Sequence, residues 1–158
     1  SIKWQNLDAL AVCVGPGNFT GVRVAVSAAR GLALSLKKPA IGISKLEAMG
    51  LGSKGKSTVV MDARRHRVYM QNFQDGNATD TPVLVELDNV NTSITAIMTA
   101  DDTNWELFPN RYTPQITLSC AVATLAINKI GNHNPSPAPL YLQEPNADLP
   151  REQPVVIL

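Results

Sequence analysis

Short, nearly continuous apolar runs alternate with stretches of helical periodicity, and this alternation predicts an α/β protein. Three observations carry the prediction. Residues 7–14 contain Leu7, Ala9, Leu10, Ala11, Val12, Cys13 and Val14, an apolar run that suits a strand buried on both faces. Val22, Ala25, Val26, Ala29, Leu32, Ala33 and Leu36 then recur at intervals of three and four, which predicts a helix over 20–37. Further on, Thr58-Val59-Val60-Met61 is followed by 67–73, where Val68, Met70 and Asn72 alternate with Tyr69, Gln71 and Phe73. That period of two predicts paired strands in a second sheet.

The first strand and helix are joined by Gly15-Pro16-Gly17-Asn18-Phe19-Thr20-Gly21. Thr20 is the expected N-cap. Such a turn aims backbone N–H groups from the positive end of a helix dipole, a setting that suits an anion. A tight turn before a helix explains the same glycines. The loop lacks the Lys and Ser/Thr pair of a P-loop, and Thr20 stands where G-x-G-x-x-G needs its last glycine. Lys37 and Lys38 suit the negative end of the helix, and Pro39 stops it. Gly31, Ala25, Ala28 and Ala29 leave little bulk, so a second helix can approach, although packing on the chain's own sheet explains most of these residues.

Residues 40–43 read as a short strand, and Ser44 with Glu47 forms a capping box for a helix that fades at Gly50-Leu51-Gly52. The polar, basic stretch 53–57 is the expected boundary between two lobes, 1–54 and 55–158. In the second lobe, Asp62-Ala63-Arg64-Arg65-His66 and Asp75-Gly76-Asn77 read as turns. Residues 83–87 read as a strand, 88–99 as a weak helix on Val90, Ile94, Ile97 and Met98, and 101–104 as a loop. Leu118, Ala121, Val122, Leu125, Ala126 and Ile130 give a second clear helix. A proline-rich connection at 134–139, a short strand at 140–142 and an extended tail with Pro145, Pro150 and Pro154 complete the chain.

Composition narrows the function. The chain has 158 residues, 44% apolar and 17% charged, which suits a packed globular protein. Fourteen basic and thirteen acidic residues leave a net charge of +1, so no general field draws in RNA, and any contact with it must be local or made by a partner. No apolar run is expected to span a membrane. Cys13 and Cys120 are expected to be buried thiols in a reducing compartment, which points to the cytoplasm. His66 and His133 have no local metal-ligand spacing, and no Ser sits in a G-x-S-x-G turn. Asp62 invites a catalytic reading, but an Asp opening a turn and accepting backbone N–H bonds is preferred. Arg64, Arg65 and Arg67 either hold phosphate or RNA, or blunt an edge strand against aggregation. Trp4 and Trp105 read as packing or rim residues rather than a base-stacking platform.

The longer string is more specific than its glycines. Asp8-Ala9-Leu10-Ala11-Val12, the turn continued through Val22-Arg23-Val24, Ala29-Arg30-Gly31-Leu32-Ala33, Ile43-Ser44-Lys45-Leu46-Glu47-Ala48, Met61-Asp62-Ala63-Arg64-Arg65 with Val68-Tyr69, and Pro139-Leu140-Tyr141-Leu142 occur in this order. Together they resemble the TsaB (YeaZ) family of threonylcarbamoyladenosine biosynthesis proteins. Against the family pattern, Asn18 replaces a usual Ser and Ala25 a usual Gly. His66-Arg67 stands where Gly-Glu is common, and Gln143 where Arg often follows Tyr-Leu. Such proteins open with a strand hairpin and a helix, and Ser1 corresponds to a point after them, so the first lobe is expected to be incomplete here.

The resemblance implies an actin-like, ribonuclease-H-like fold of two α/β lobes and a non-catalytic role. It implies that TsaD is the main partner, bound through helices of the first lobe, with the ATPase TsaE joining and tRNA reached indirectly through the complex. On this expectation Val22, Arg23, Val26, Ala29, Arg30 and Ala33 supply the partner face, with Arg23 and Arg30 as its polar rim. Gly15, Pro16, Gly17, Thr20 and Gly21 are where a phosphate of ATP or ADP would rest at the partner interface; no cofactor is required. A homodimer through the same helix is compatible with this role. The glycoprotease-type peptidase label once given to relatives is rejected, because the His-x-x-x-His ligands of the metal-binding paralogue are not in this sequence. The alternative is an actin-like, ATP-dependent kinase or acyl transferase.

Overall fold

The computed structural model describes residues 3–131 and 135–142. Strand β1 (Leu10–Cys13), helix α1 (Phe19–Leu36) and strand β2 (Ala40–Ile43) form a β-α-β unit. The two strands pair in parallel from Leu10 opposite Ala40 to Cys13 opposite Ile43, as a helical crossover allows. Lys37 closes α1 in the left-handed region at φ 52°, with its N–H bonded to the carbonyls of Ala33 and Leu34. Ser44 and Glu47 form the expected capping box at helix α2 (Lys45–Gly50).

The second sheet is built on the antiparallel pair β3 (Lys56–Asp62) and β4 (Arg67–Gln74), in register from Lys56 opposite Gln74 to Asp62 opposite Val68. Short strands β5 (Asn77–Ala78) and β6 (Val83–Glu86) both pair with β4. On the other side, β7 (Ala96–Ile97) runs parallel to β3, and β8 (Arg111–Tyr112) runs parallel to β7. The alternation along β3 and β4 builds two cores. Val59, Met61 and Phe73 meet Leu46 and Met49 of α2 on one face; Val60 and Val68 meet Leu87, Met98 and Phe108 on the other.

Four expectations need correction. Residues 88–99 do not form a helix: a 3-10 turn at Leu87–Asn89 leads to β7. The β-branched residues Thr92, Ile94 and Thr95 disfavour helix, and Ala96, Ile97 and Met98 are fully buried beside β3. Helix α3 (Leu118–Ile127) does not stay with the second sheet. Its Ala121, Val122 and Ala126 pack on Ile41, Ile43 and Ala48, so the chain returns to the first unit instead of dividing cleanly at residue 54. Residues 140–142 are not a strand, although the Leu140 N–H donates to the carbonyl of Val14. Cys120 is exposed and Cys13 half-buried, because Ala121 and Val122, not Cys120, face the core of α3. The expected tail at Pro145, Pro150 and Pro154, and His133, lie outside the described residues.

Helix α2 therefore wedges between the two sheets, giving Ala48 to one core and Leu46 and Met49 to the other.

Candidate functional site

Helix α1 divides by the 100° step of an α-helix. Val22, Val26, Ala29, Ala33 and Leu36 form one stripe, and they are its buried or half-buried positions. This stripe packs on β1 and β2, opposite the face on which Cys13, Ile41 and Ile43 meet α3. Val22, Val26, Ala29 and Ala33, expected in a partner face, are thus turned toward the chain's own sheet. Val26 and Ala33 are only 2% and 4% exposed and have no surface to offer. The outward side holds Val24, Ser27, Ala28, Gly31 and Leu34, all exposed. Val24 is 63% and Leu34 81% exposed, and nothing lies within 4 Å of the Cβ that Gly31 lacks. The sequence signal for this side was available: the apolar residues of 19–36 exceed what one stripe can hold.

Arg23 and Arg30, seven residues apart, lie on one flank between the two sides, as a rim would. Arg30 lines a cleft of about 480 Å³ with Leu34, Lys38 and Lys129. Arg23 is more constrained. Its guanidinium lies 3.6 Å from the centroid of the Phe19 ring, and its Nε donates to the Tyr141 hydroxyl at 2.6 Å. The Phe19 and Tyr141 rings are 5.4 Å apart. All three side chains are exposed, and Phe, Tyr and Arg are enriched at protein interfaces. Sequence reasoning did not connect Phe19 and Tyr141 to this face, because 122 positions separate them (141 − 19).

Asn18, not Thr20, is the N-cap: its side-chain oxygen accepts the Gly21 N–H at 2.9 Å. Gly15 needs its freedom, with φ +94°. Gly15 and Pro16 are buried, and the Gly15 carbonyl accepts the Lys45 N–H, so these two residues serve the turn. Gly17, Thr20 and Gly21 are exposed, but the Gly21 amide is taken by Asn18 and the Arg23 cation beside them is drawn over Phe19.

At the far end, Asp62 opens the β3–β4 turn as expected: its Oδ1 accepts the Arg64 N–H, and its own N–H donates to Asp102. Arg64, Arg65 and His66 all have positive φ, 63°, 52° and 59°, where each L-residue costs roughly 1–2 kcal/mol. His66 Nε2 lies 2.9 Å from Asp88 Oδ1. That hydrogen bond, and then the Asp88 charge, raise the His66 pKa above the ordinary 6.5. A folded-state pKa above the unfolded one makes the contact's contribution complete below about pH 6.5 and lost as pH rises through the higher value. Proton NMR titration should therefore place His66 above 6.5, and Asp88→Asn should bring it back down. Among the described residues no group of three or more His, Cys, Asp or Glu side chains converges.

Length and composition alone also single out helix α1. At 18 residues and a mean hydropathy of 1.2 it is long and apolar enough to span one. Arg23 and Arg30 interrupt it and its inner stripe is packed on a sheet, so length and composition are weak evidence of a span here.

Residues 1–125 match the family model described as TsaD, tRNA N6-adenosine threonylcarbamoyltransferase. The chain is 32% identical over 147 residues to an uncharacterized protein of Mycobacterium tuberculosis, covering 93% of this chain and 69% of that one. It is 44% identical over 70 residues to an uncharacterized protein of Mycobacterium leprae, but spans only 20% of its length. With Escherichia coli TsaB, a tRNA threonylcarbamoyladenosine biosynthesis protein, it shares 43% identity over 74 residues, 44% of this chain and 32% of TsaB. The solved structure of YeaZ from Pseudomonas aeruginosa superposes with a TM-score of 0.64 at 22% identity, over 89% of this chain and 77% of YeaZ. A second Pseudomonas aeruginosa structure, described as similar to peptidase YeaZ, gives 0.67 at 20% identity, over 90% and 76%. The fold is therefore the actin-like α/β fold of the YeaZ structures, and with residues 1–125 inside the family model the chain belongs to the TsaD threonylcarbamoyltransferase family, on its TsaB (YeaZ) side.

Proposed function

We propose that this protein is a non-catalytic partner in the synthesis of threonylcarbamoyladenosine on tRNA, acting in the cytoplasm by binding and activating a TsaD-type transferase. The observation that carries the reading is the uncovered outer side of α1, where Val24 and Leu34 stand in water, flanked by the Phe19–Arg23–Tyr141 cluster. Large apolar side chains exposed next to aromatic and arginine side chains are a feature of interaction surfaces. The relatives' names supply the pathway, because the TsaB proteins are described as threonylcarbamoyladenosine biosynthesis proteins. TsaE joins through TsaD, and the reading requires no nucleotide step of this chain.

Co-expression with TsaD of the same organism tests the reading. The two proteins should co-elute in size-exclusion chromatography, and the protein alone should not turn over Mg-ATP. Failure to co-elute overturns the partner role. Turnover of Mg-ATP by the protein alone, abolished by Asp62→Asn, replaces it with the kinase reading.

A further inference from the structure

The hairpin between β3 and β4 carries four consecutive basic residues, Arg64, Arg65, His66 and Arg67, on a chain whose net charge is only +1. One of the four has an ion-pair partner within the fold: His66 contacts Asp88. Arg67 is half-buried in β4, opposite Glu86 in the β4–β6 register. The carboxylates nearest in the chain are committed as well: Asp62 Oδ1 takes the Arg64 amide, and Asp102 takes the amides of Asp62 and Asn104 through its two oxygens. Arg64 and Arg65 remain. Both are exposed, and among the described residues neither forms an ion pair.

The backbone makes their retention informative. Arg64 and Arg65 hold left-handed φ values that glycine adopts without strain and arginine does not. Strain kept at an exposed tip, where no packing requires the side chain, points to a role outside the fold. Two adjacent exposed guanidinium groups without an ion pair among the described residues match phosphate, which Arg binds through paired N–H bonds.

We propose that Arg64 and Arg65 form a direct contact for the phosphate backbone of tRNA, made by this chain itself rather than only through its partner. The proposal rests on the tRNA-modification reading above. With no general field to draw RNA in, the contact is local and acts as a positioning grip without base specificity.

The test titrates the purified protein, alone and bound to TsaD, into fluorescently labelled unfractionated tRNA across 50–200 mM salt. The double variant R64G/R65G should weaken binding about tenfold and make the slope of log K against log salt shallower by about 1.5, as expected for two lost phosphate contacts. Its thermal midpoint should not fall, because glycine suits both φ values, and R64K/R65K should keep the salt slope. Unchanged affinity and slope in R64G/R65G overturn the proposal. So does tighter binding of poly-glutamate than of tRNA, or loss of TsaD binding in R64G/R65G, either of which makes the hairpin a protein contact. The wild-type co-elution with TsaD is scored separately, so failure of the partner reading is distinguishable from failure of this one.

Discussion

Gly50→Ala is expected to destabilise the protein by about 3 kcal/mol, the upper end of the usual cost of overpacking a core. A Cβ at this position would lie within 2.7 Å of three atoms of the Phe73 ring. Those distances are too short for any pair of carbon atoms in contact, so the ring or the helix must move. Phe73 is only 2% exposed and packs among Leu46, Met49, Val59 and Ile97, so the ring cannot swing out. Alanine's better helix propensity opposes the effect by at most about 1 kcal/mol, and Gly50 ends its helix, so the steric term wins. Gly31→Ala is the matched control. It lies inside α1 with open space around the missing Cβ and should stabilise by roughly 0.5–1 kcal/mol. Urea denaturation of both variants decides the matter: a Gly50→Ala midpoint equal to wild type would mean that α2 does not wedge between the sheets as described.

The same two glycines show what the sequence could and could not reveal. The capping box of Ser44 and Glu47 is local chemistry and was legible, as were the β-α-β unit and the alternating hairpin. The close approach of Gly50 to Phe73 spans 23 positions (73 − 50), and no periodicity encodes it. Strand β7 was missed because a two-residue strand buried in the middle of a sheet is too short to display a period of two, and its neighbours Val90 and Ile94 mimic helical spacing. The helix at 20–37 was legible as a helix but not as to which side it buries. Apolar residues occur nearly all around it, and a helix of that kind has two apolar sides to assign. Only the position of β1 and β2 shows that Val26 and Ala33 face inward, while Val24 and Leu34 do not. The Arg23 cluster needed Tyr141 from the other end of the described chain. Hence the family resemblance reached the fold and the helix, while the residues available to a partner had to come from packing.

The double variant Val24→Glu, Leu34→Glu is expected to abolish binding to TsaD while leaving the fold intact. Both side chains already stand in water, so charging them should change the stability of the free protein by no more than about 0.5 kcal/mol each. In a docked interface each would give up the roughly 1.5–3 kcal/mol that burial of a Val or Leu contributes, and each carboxylate would add a desolvation penalty. Together the losses exceed about 4 kcal/mol, which weakens a complex about a thousandfold and removes it from a co-elution profile at micromolar concentration. Val26→Glu provides the contrast, because it places a charge on the 2%-exposed inner stripe and should unfold the protein rather than merely free it. A dimer formed through this side of α1 in the absence of TsaD would be dissolved by the same pair of charges, which sedimentation would report. If the double variant instead co-elutes with TsaD as wild type does, the partner sits elsewhere, and the uncovered apolar side of α1 loses its assignment.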